Sequence, residues 1–305
     1  MSGNRLLVLS GPTASGKTDA AMALARRLPL EIVSADSMQV YRGLDIGTAK
    51  PTPGERREVP HHLIDIADPE EPYSAGRFVD DALEAIRGIR ARGRFPILVG
   101  GTGLYLRALT RGLDPLPSDP RIRENLRGRW ETEGGEAMYD RLRRADPETA
   151  AKVRPADRLR VLRALEILEI TGEPASSRRK AWTGGPGTCR VLWFALRLPR
   201  EELYRRIDER VDGMVRQGMV AEVRTLLSRG YGPGVRSMGS LGYRHVLRHL
   251  LGEISLEQAI AEWKRDTRRY AKRQMTWLCA ERDVRWVEGD SALAAMEEMS
   301  RKFLF

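Results

Sequence analysis

Gly11-Pro12-Thr13-Ala14-Ser15-Gly16-Lys17-Thr18 decides the fold. The string fits G-x-x-x-x-G-K-[ST] in full; an apolar run at residues 6–10 precedes it and a helical pattern at 16–28 follows. Strand, glycine-rich loop and helix in that order make a phosphate cradle. The glycines let the backbone curl until its N–H groups point inward, and the helix N-terminus adds a favourable dipole. Lys17 supplies a point charge, and Thr18 a hydroxyl for a phosphate-bound Mg²⁺. Such a loop reads a di- or triphosphate chain and says little about what hangs from it.

Outward from the loop, strands and helices alternate. Residues 31–35 read as a second buried strand and 96–99 as a third. Between them, 76–92 form an amphipathic helix with Phe78, Ala82, Ile86 and Ile89 at helical spacing and Ser74 as its cap. This order predicts a parallel sheet covered by helices on both faces. The pattern changes at 113–120, a stretch with three prolines, and only helices follow: 120–132, 136–144, 147–152 and 156–171, the last ended by Gly172 and Pro174. After a Gly-rich loop at 183–188, residues 190–198 return to strand; the remainder is mostly helical with a short strand at 284–287. The expected fold is α/β: a P-loop NTPase-like parallel sheet flanked by helices, from residues 1–114 and 190–305, with an all-helical module inserted at 115–189.

Fifty-two Lys plus Arg against 42 Asp plus Glu leave a net charge of +10, a balance suited to polyanions. Residues 1–114 hold 15 basic and 14 acidic side chains, and residues 115–305 hold 37 and 28. A polyanion surface is therefore expected outside the N-terminal region, solvated arginine faces being the plainer alternative. An apolar fraction of 41% is ample for a core, and no apolar run approaches the roughly 18 residues of a membrane span. The first apolar run is too short and too early for a signal peptide. Two cysteines, Cys189 and Cys279, cannot build a disulfide framework or a four-cysteine metal site. A cytoplasmic protein with no membrane partner is expected.

Switch and motor NTPases hold Mg²⁺ with an Asp at the end of an apolar strand. Here the strand at 96–99 ends in Gly100-Gly101-Thr102-Gly103, either a tight turn or a second wall of the site. Asp36 ends the second strand, where open α/β sheets bind ligands; it could hold Mg²⁺, cap the next segment or accept a proton. On the last long helix, Lys264, Arg268 and Lys272 form one stripe and Arg265, Arg269 and Arg273 an adjoining one, with Ile260, Trp263, Tyr270 and Trp277 opposite. One face suits a core and the other RNA phosphates, a solvated basic face being the alternative. His245 and His249 lack the Glu and third ligand of a zinc site, and His61 and His62 are expected to be structural.

The string from Ala35-Asp36-Ser37-Met38-Gln39-Val40-Tyr41 through Gly47-Thr48-Ala49-Lys50-Pro51, after this loop, closely resembles the tRNA dimethylallyltransferases (tRNA isopentenyltransferases) of bacterial type. Further matches run in family order: Val59-Pro60-His61-His62-Leu63-Ile64-Asp65, Gly100-Gly101-Thr102-Gly103-Leu104-Tyr105, Asp157 with Arg160, and Arg163-Ala164-Leu165-Glu166. Gly242-Tyr243, then Thr267-Arg268-Arg269-Tyr270-Ala271-Lys272-Arg273-Gln274 with Thr276-Trp277, complete a likeness that spans essentially the whole chain.

The resemblance implies transfer of a five-carbon group from dimethylallyl diphosphate to N6 of the adenosine 3′ of the anticodon, with diphosphate leaving. It implies that Lys17, Thr18 and the loop amides neutralise the diphosphate with Mg²⁺. Asp36 corresponds to the family's proposed general base, Thr102 to a substrate contact near the reaction centre and Arg224 to a diphosphate contact. The likeness places Asp36, Ser37, Met38, Gln39, Thr102, Arg123 and the turn Leu159, Arg160, Val161, Leu162 and Arg163 at the anticodon stem-loop. Leu159 stands where many members carry Gln, and Gly239 likewise replaces a frequent Gln. No Cys/His zinc module of the eukaryotic kind is expected, and the protein is expected to be a monomer. An adenylate prenyltransferase, a small-metabolite kinase and a non-catalytic RNA-binding NTPase are the alternatives. The helical module and six-cation helix favour a macromolecular acceptor over the first, and the Gly100–Thr102 turn argues against the second.

Overall fold

The computed structural model describes residues 5–113, 116–178, 189–289 and 291–305. β1 (Arg5–Ser10) leads through the phosphate loop into α1 (Lys17–Ala25), and β2 (Leu30–Ser34) follows. After an irregular excursion come α2 (Pro53–Glu58), β3 (His61–His62), α3 (Ala75–Ala91), β4 (Phe95–Gly100) and α4 (Gly103–Arg111). A helical stretch contains α5 (Pro120–Glu133), α6 (Gly135–Ala145), α7 (Pro147–Ala150), α8 (Arg158–Thr171) and α9 (Ala175–Arg178). The sheet resumes with β5 (Arg190–Leu196), then α10 (Arg200–Arg216), α11 (Met219–Ser228), α12 (Tyr243–Leu250), α13 (Leu256–Cys279), β6 (Val284–Val287) and α14 (Ala292–Leu304).

All six strands run parallel in the order β3-β2-β4-β1-β5-β6. Their alternation divides the core, as a period of two requires. Leu6 and Val8 of β1, Val33 of β2, Leu98 of β4 and Trp193 of β5 face one side, where Phe78, Ala82, Ile86 and Ile89 of α3 cover them. Leu7, Leu9, Ile32, Ile97 and Phe194 face the other, under Met22 and Leu24 of α1 and Met296 of α14. Ser10 of β1 stands beside Gly100 of β4, so the phosphate loop and the Gly100–Gly103 turn leave adjacent strands at the same edge. That register brings the two walls of the site together.

The edge strand β3 carries no sequence signal: two histidines show neither alternation nor β-branching, and Ile32 and Val33 of β2 recruit them by pairing. The irregular excursion between β2 and α2 is pinned by Lys50, whose buried ammonium donates to Asp45 (2.5 Å), Asp65 (2.6 Å) and the Tyr41 carbonyl (2.8 Å). The Gly-rich loop expected at 183–188 lies outside the described residues. Among the described residues no helix is long and apolar enough to cross a membrane.

The chain divides into two compact units, Met1–Thr110 with Pro186–Phe305, and Arg111–Gly185. The second unit has its own core, centred on Leu126, Met138, Leu142, Val161, Leu165 and Ile167. Asp119, Asp146 and Asp157 cap α5, α7 and α8 by accepting from the first-turn amides. Buried Glu166 ties its elements together: Arg123 (3.0 Å) and Arg163 (2.9 Å) donate to the carboxylate, and so does the Asp119 amide (3.0 Å).

Candidate active site

Thr13, Ala14, Gly16, Lys17 and Thr18 line a cavity of about 560 Å³ at the carboxyl ends of the strands. Gly11, Pro12 and Ser15 shape the loop from behind. Gly16 precedes α1 without any side-chain cap, so the first amides of that helix remain available to an anion. Ala14 adopts a left-handed φ of 64°, a conformation that L-residues keep only where the surroundings impose it. The Lys17 ammonium donates to the Pro12 carbonyl at 2.7 Å, a contact it would exchange for phosphate. Burial, and next Arg210, lower its pKa to about 7 against the opposing pull of Asp36.

Asp36 lies two residues past β2. Its Oδ1 accepts from the Met38 amide (2.8 Å) and, at 3.4 Å, the Gln39 amide; Oδ2 makes no hydrogen bond among the described residues. One oxygen thus caps the following turn, the capping role expected from sequence, while the carboxylate also lines the cavity. The Thr102 hydroxyl accepts from the Ser37 amide at 3.2 Å, and the Thr102 amide donates to the Ala35 carbonyl at 3.3 Å. Thr102 therefore holds the Asp36 turn in place; its side chain lines neither cavity of the site.

The Gly100–Gly103 turn is a wall of the site, and its glycines are there for close approach. A Cβ on Gly101 would overlap the Gln274 amide, and one on Gly103 would reach within 2.5 Å of the Trp277 indole. Gln274, buried on α13, joins the two loops by accepting from the Thr13 amide (2.8 Å) and donating to the Gly101 carbonyl (2.9 Å). One α13 side chain thereby fixes the gap between phosphate loop and turn.

A second cavity of about 320 Å³ opens from the first, sharing Thr13, Asp36, Thr48, Arg210 and Tyr270 with it. Its wall is more apolar, with Met38, Ile207, Val211, Met214 and Trp263. Burial, then Asp36, push the Tyr270 phenol up to about 12, keeping it a neutral donor. Arg210 makes no hydrogen bond or ion pair to a described residue; burial lowers its pKa while Asp36 and Asp19 hold it up.

The structure separates Arg224 from Arg210. Arg224 points to solvent from α11 and lines neither cavity, whereas Arg210 faces Lys17 and Asp36. The available signal was helical: Arg210 immediately precedes Val211 in the apolar series Leu203, Ile207, Val211 and Met214 and so flanks a buried ridge.

Other expected contacts separate into engaged and available side chains. Arg123 and Arg163 are committed to Glu166, and the buried side chains of Val161 and Leu162 belong to the helical unit's core. Leu159 is 76% exposed at the start of α8, where the Arg160 side chain, 72% exposed, is ion-paired to Asp157 at 3.2 Å. Ser37 and Met38 line the second cavity, while Gln39 donates to the Thr48 and Ala49 carbonyls. Lys264 and Arg268 are ion-paired to Asp212 (2.7 Å) and Asp208 (2.5 Å) of α10, so these two cations are not free; Lys272 is exposed and has no acid partner among the described residues. Trp263 is buried in the core and Trp277 packs against it, but Tyr270 turns to the cavities instead. His62 is bound to Glu31 (2.8 Å), and buried His245 to Asp266 (3.3 Å), which gives both histidines structural roles.

Parallel sheet, phosphate loop and a carboxylate beside a two-lobed cavity define a P-loop protein built to act on a phosphorylated substrate. The family model described as IPP transferase matches residues 39–281, and one described as isopentenyl transferase matches residues 4–65. The chain belongs to the IPP transferase family. A tRNA dimethylallyltransferase of Syntrophobacter fumaroxidans is 51% identical over 284 residues, covering 93% of this chain and 83% of the relative. The crystal structure of a tRNA isopentenylpyrophosphate transferase from Bacillus halodurans superposes with a TM-score of 0.72 at 40% identity, covering 99% of this chain and 97% of that one. A eukaryotic dimethylallyltransferase acting on tRNA gives a TM-score of 0.80 at 29% identity, over 98% and 78% of the two chains.

Proposed function

We propose that this enzyme transfers the dimethylallyl group of dimethylallyl diphosphate to N6 of the adenosine 3′-adjacent to the anticodon in tRNA. One observation carries the reading: a phosphate-binding lobe and an apolar lobe meet at Asp36 and Arg210. The donor's diphosphate lies on the loop amides, Lys17 and Arg210, its allylic carbon at the junction and its hydrocarbon tail in the second lobe. The C1–O bond breaks with its electron pair leaving on diphosphate, N6 forms the new bond to C1, and Asp36 Oδ2 takes the N6 proton. Positive groups preorganised around the leaving oxygens favour the step where charge develops. The aromatic amine is a poor nucleophile, so its alignment and deprotonation by Asp36 matter more than basicity.

The donor set suits Mg²⁺ as a companion of the diphosphate. Thr18 and Asp36 offer hard oxygens, and no group of three or more His, Cys, Asp or Glu among the described residues forms a metal cage. Mg²⁺ commonly keeps waters and binds through one or two protein oxygens plus substrate phosphates. When bound, it would neutralise charge on the departing diphosphate, with Thr18 as a ligand.

Reaching N6 requires the base to leave its stack. Exposed Leu159 and Arg160 on the helical unit, residues 115–189 as read from sequence, and Lys272 and Arg273 on α13 are the side chains proposed for the anticodon stem-loop. Both lobes are lined by one chain, so a monomer suffices, acting in the cytoplasm where its tRNA is found. Labelled dimethylallyl diphosphate offered with tRNA, AMP or ATP tests the reading. Label in the adenosine beside the anticodon is expected; label in AMP alone makes the protein an adenylate prenyltransferase, and nucleotide hydrolysis or phosphorylation without prenyl transfer removes the reading altogether.

A further inference from the structure

We propose that Met214 and Val211 set the upper length of the prenyl donor, admitting a five-carbon chain and rejecting a ten-carbon one. The inference rests on the prenyl-transfer reading and adds the chain-length limit of the same site.

Helix α10 is the partition between the two lobes. At roughly 100° per residue, Arg206, Gln217 and Arg210 share a sector about 40° wide, and these line the phosphate lobe. Met214, Ile207 and Val211 occupy roughly the next 100° and line the apolar lobe, with Arg210 on the boundary between the two sets. A diphosphate held by Arg210 therefore directs its hydrocarbon tail along the Ile207–Val211–Met214 stripe.

The far end of that lobe follows from how α10 meets α13. Ion pairs join Asp212 to Lys264 and Asp208 to Arg268, so the helices run antiparallel. Tyr270, shared by both lobes, thus lies toward the Asp208 end, and Trp263 lies toward Asp212, Val211 and Met214. Seven residues, about 10 Å of helix, separate Tyr270 from Trp263. Gly242 packs closely on the Trp263 indole and limits its movement: a Cβ there would come within 2.7 Å of the ring. Val211, Met214 and Trp263 belong to one packed core cluster and form the apolar wall at that end of the lobe. Its 320 Å³ is near the bottom of the roughly 300–1,000 Å³ usual for ligand pockets, yet it must take the tail and the acceptor base together.

The test compares dimethylallyl and geranyl diphosphate as donors to tRNA, for the unaltered enzyme, Met214→Ala and Val211→Ala. Bond changes are identical for both donors, so the masses of the product nucleosides report length selection alone. The unaltered enzyme should transfer the ten-carbon group at least about tenfold less efficiently than the five-carbon group, and each truncation should raise the ten-to-five ratio about tenfold or more. Melting curves identify a truncation that fails to fold, and Val211→Ala, which removes less volume, then carries the comparison. A folded variant that keeps five-carbon transfer at an unchanged ratio overturns the proposal, as does an unaltered enzyme indifferent to chain length. Absence of five-carbon transfer by the unaltered enzyme is a different result and removes the prenyl-transfer reading itself.

Discussion

With Lys17 and Arg210 proposed to hold the same diphosphate, their mutual repulsion predicts a pH dependence for donor binding. In the empty enzyme the Lys17 pKa is about 7, so about half of the molecules carry its charge at pH 7 and about a tenth at pH 8. A diphosphate favours the charged form. The donor KM should therefore be flat below pH 7 and climb toward tenfold per pH unit above it. Arg210→Gln does two things. It removes a charge-assisted contact worth about 1.5–3 kcal/mol, weakening donor binding about 10- to 150-fold at pH 6. It also removes the second-largest cause that lowers Lys17, so the break in the profile moves to higher pH and the defect shrinks at pH 8–9. Steady-state kinetics over pH 6–9 with saturating tRNA read both effects. A donor KM independent of pH, or an Arg210→Gln defect of constant size with an unmoved break, would refute the coupling. Stability supplies a separate check. Lys17 is lowered in the folded state, so the unfolded chain holds more protons between pH 7 and 10.5. Its contribution to stability must then rise with pH across that window, by at most about 1.4 kcal/mol per unit, and bound donor should abolish the slope.

Asp36→Asn keeps the cap on the Met38 amide but removes the base, so turnover should fall about 10²- to 10⁴-fold while tRNA affinity, measured by filter binding, stays near normal. Gln274→Leu strands the Thr13 amide and the Gly101 carbonyl; the donor KM should rise and the melting midpoint fall, each stranded group costing about 1–3 kcal/mol. Charge reversal at Lys272 and Arg273 should reduce the salt slope of tRNA binding by about 0.7–0.9 for each phosphate left without its cation, whereas reversal at Lys264 and Arg268, already paired to Asp212 and Asp208, should change it less. Arg224→Ala should leave the donor KM within about twofold, since one exposed helix-face side chain away from both lobes is all it removes.

Local chemistry decided what could be read from the sequence. The phosphate loop, the strand before it and Ser74 capping α3 are short-range features whose residue types dictate their own geometry. Asp36 was legible because strand ends in a parallel sheet face one way. Arg210 was not, because its importance comes from α10 lying beside the phosphate loop, a contact between segments nearly two hundred residues apart. Gln274 is similar: a glutamine in a basic helix gives no hint that its amide spans two glycine-rich loops. Glu166 shows the converse. The family resemblance assigns Arg123 and Arg163 to the tRNA, yet a buried carboxylate between them holds both, as an uncompensated buried charge would be costly.

Ion pairing likewise changes what the net charge means for a polyanion. An excess of +10 is a count of side chains, and a cation already paired to an acid offers an RNA less than an unpaired one. On α13, Lys264 and Arg268 turn toward α10 and meet Asp212 and Asp208, while Arg265 and Arg269 both lean on Asp266. Only beyond Tyr270 does the helix present cations without an acid partner among the described residues: Lys272, and Arg273, which lies over the Tyr270 ring at 5.7 Å. That point is also where α13 borders both lobes of the cavity. The amino-terminal part of the basic stripe thus helps to hold α10, which lines both lobes, and its carboxyl-terminal part carries the cations without an acid partner among the described residues. A helix that looks uniformly basic in sequence is thus divided along its length into paired cations and the two proposed for tRNA, Lys272 and Arg273.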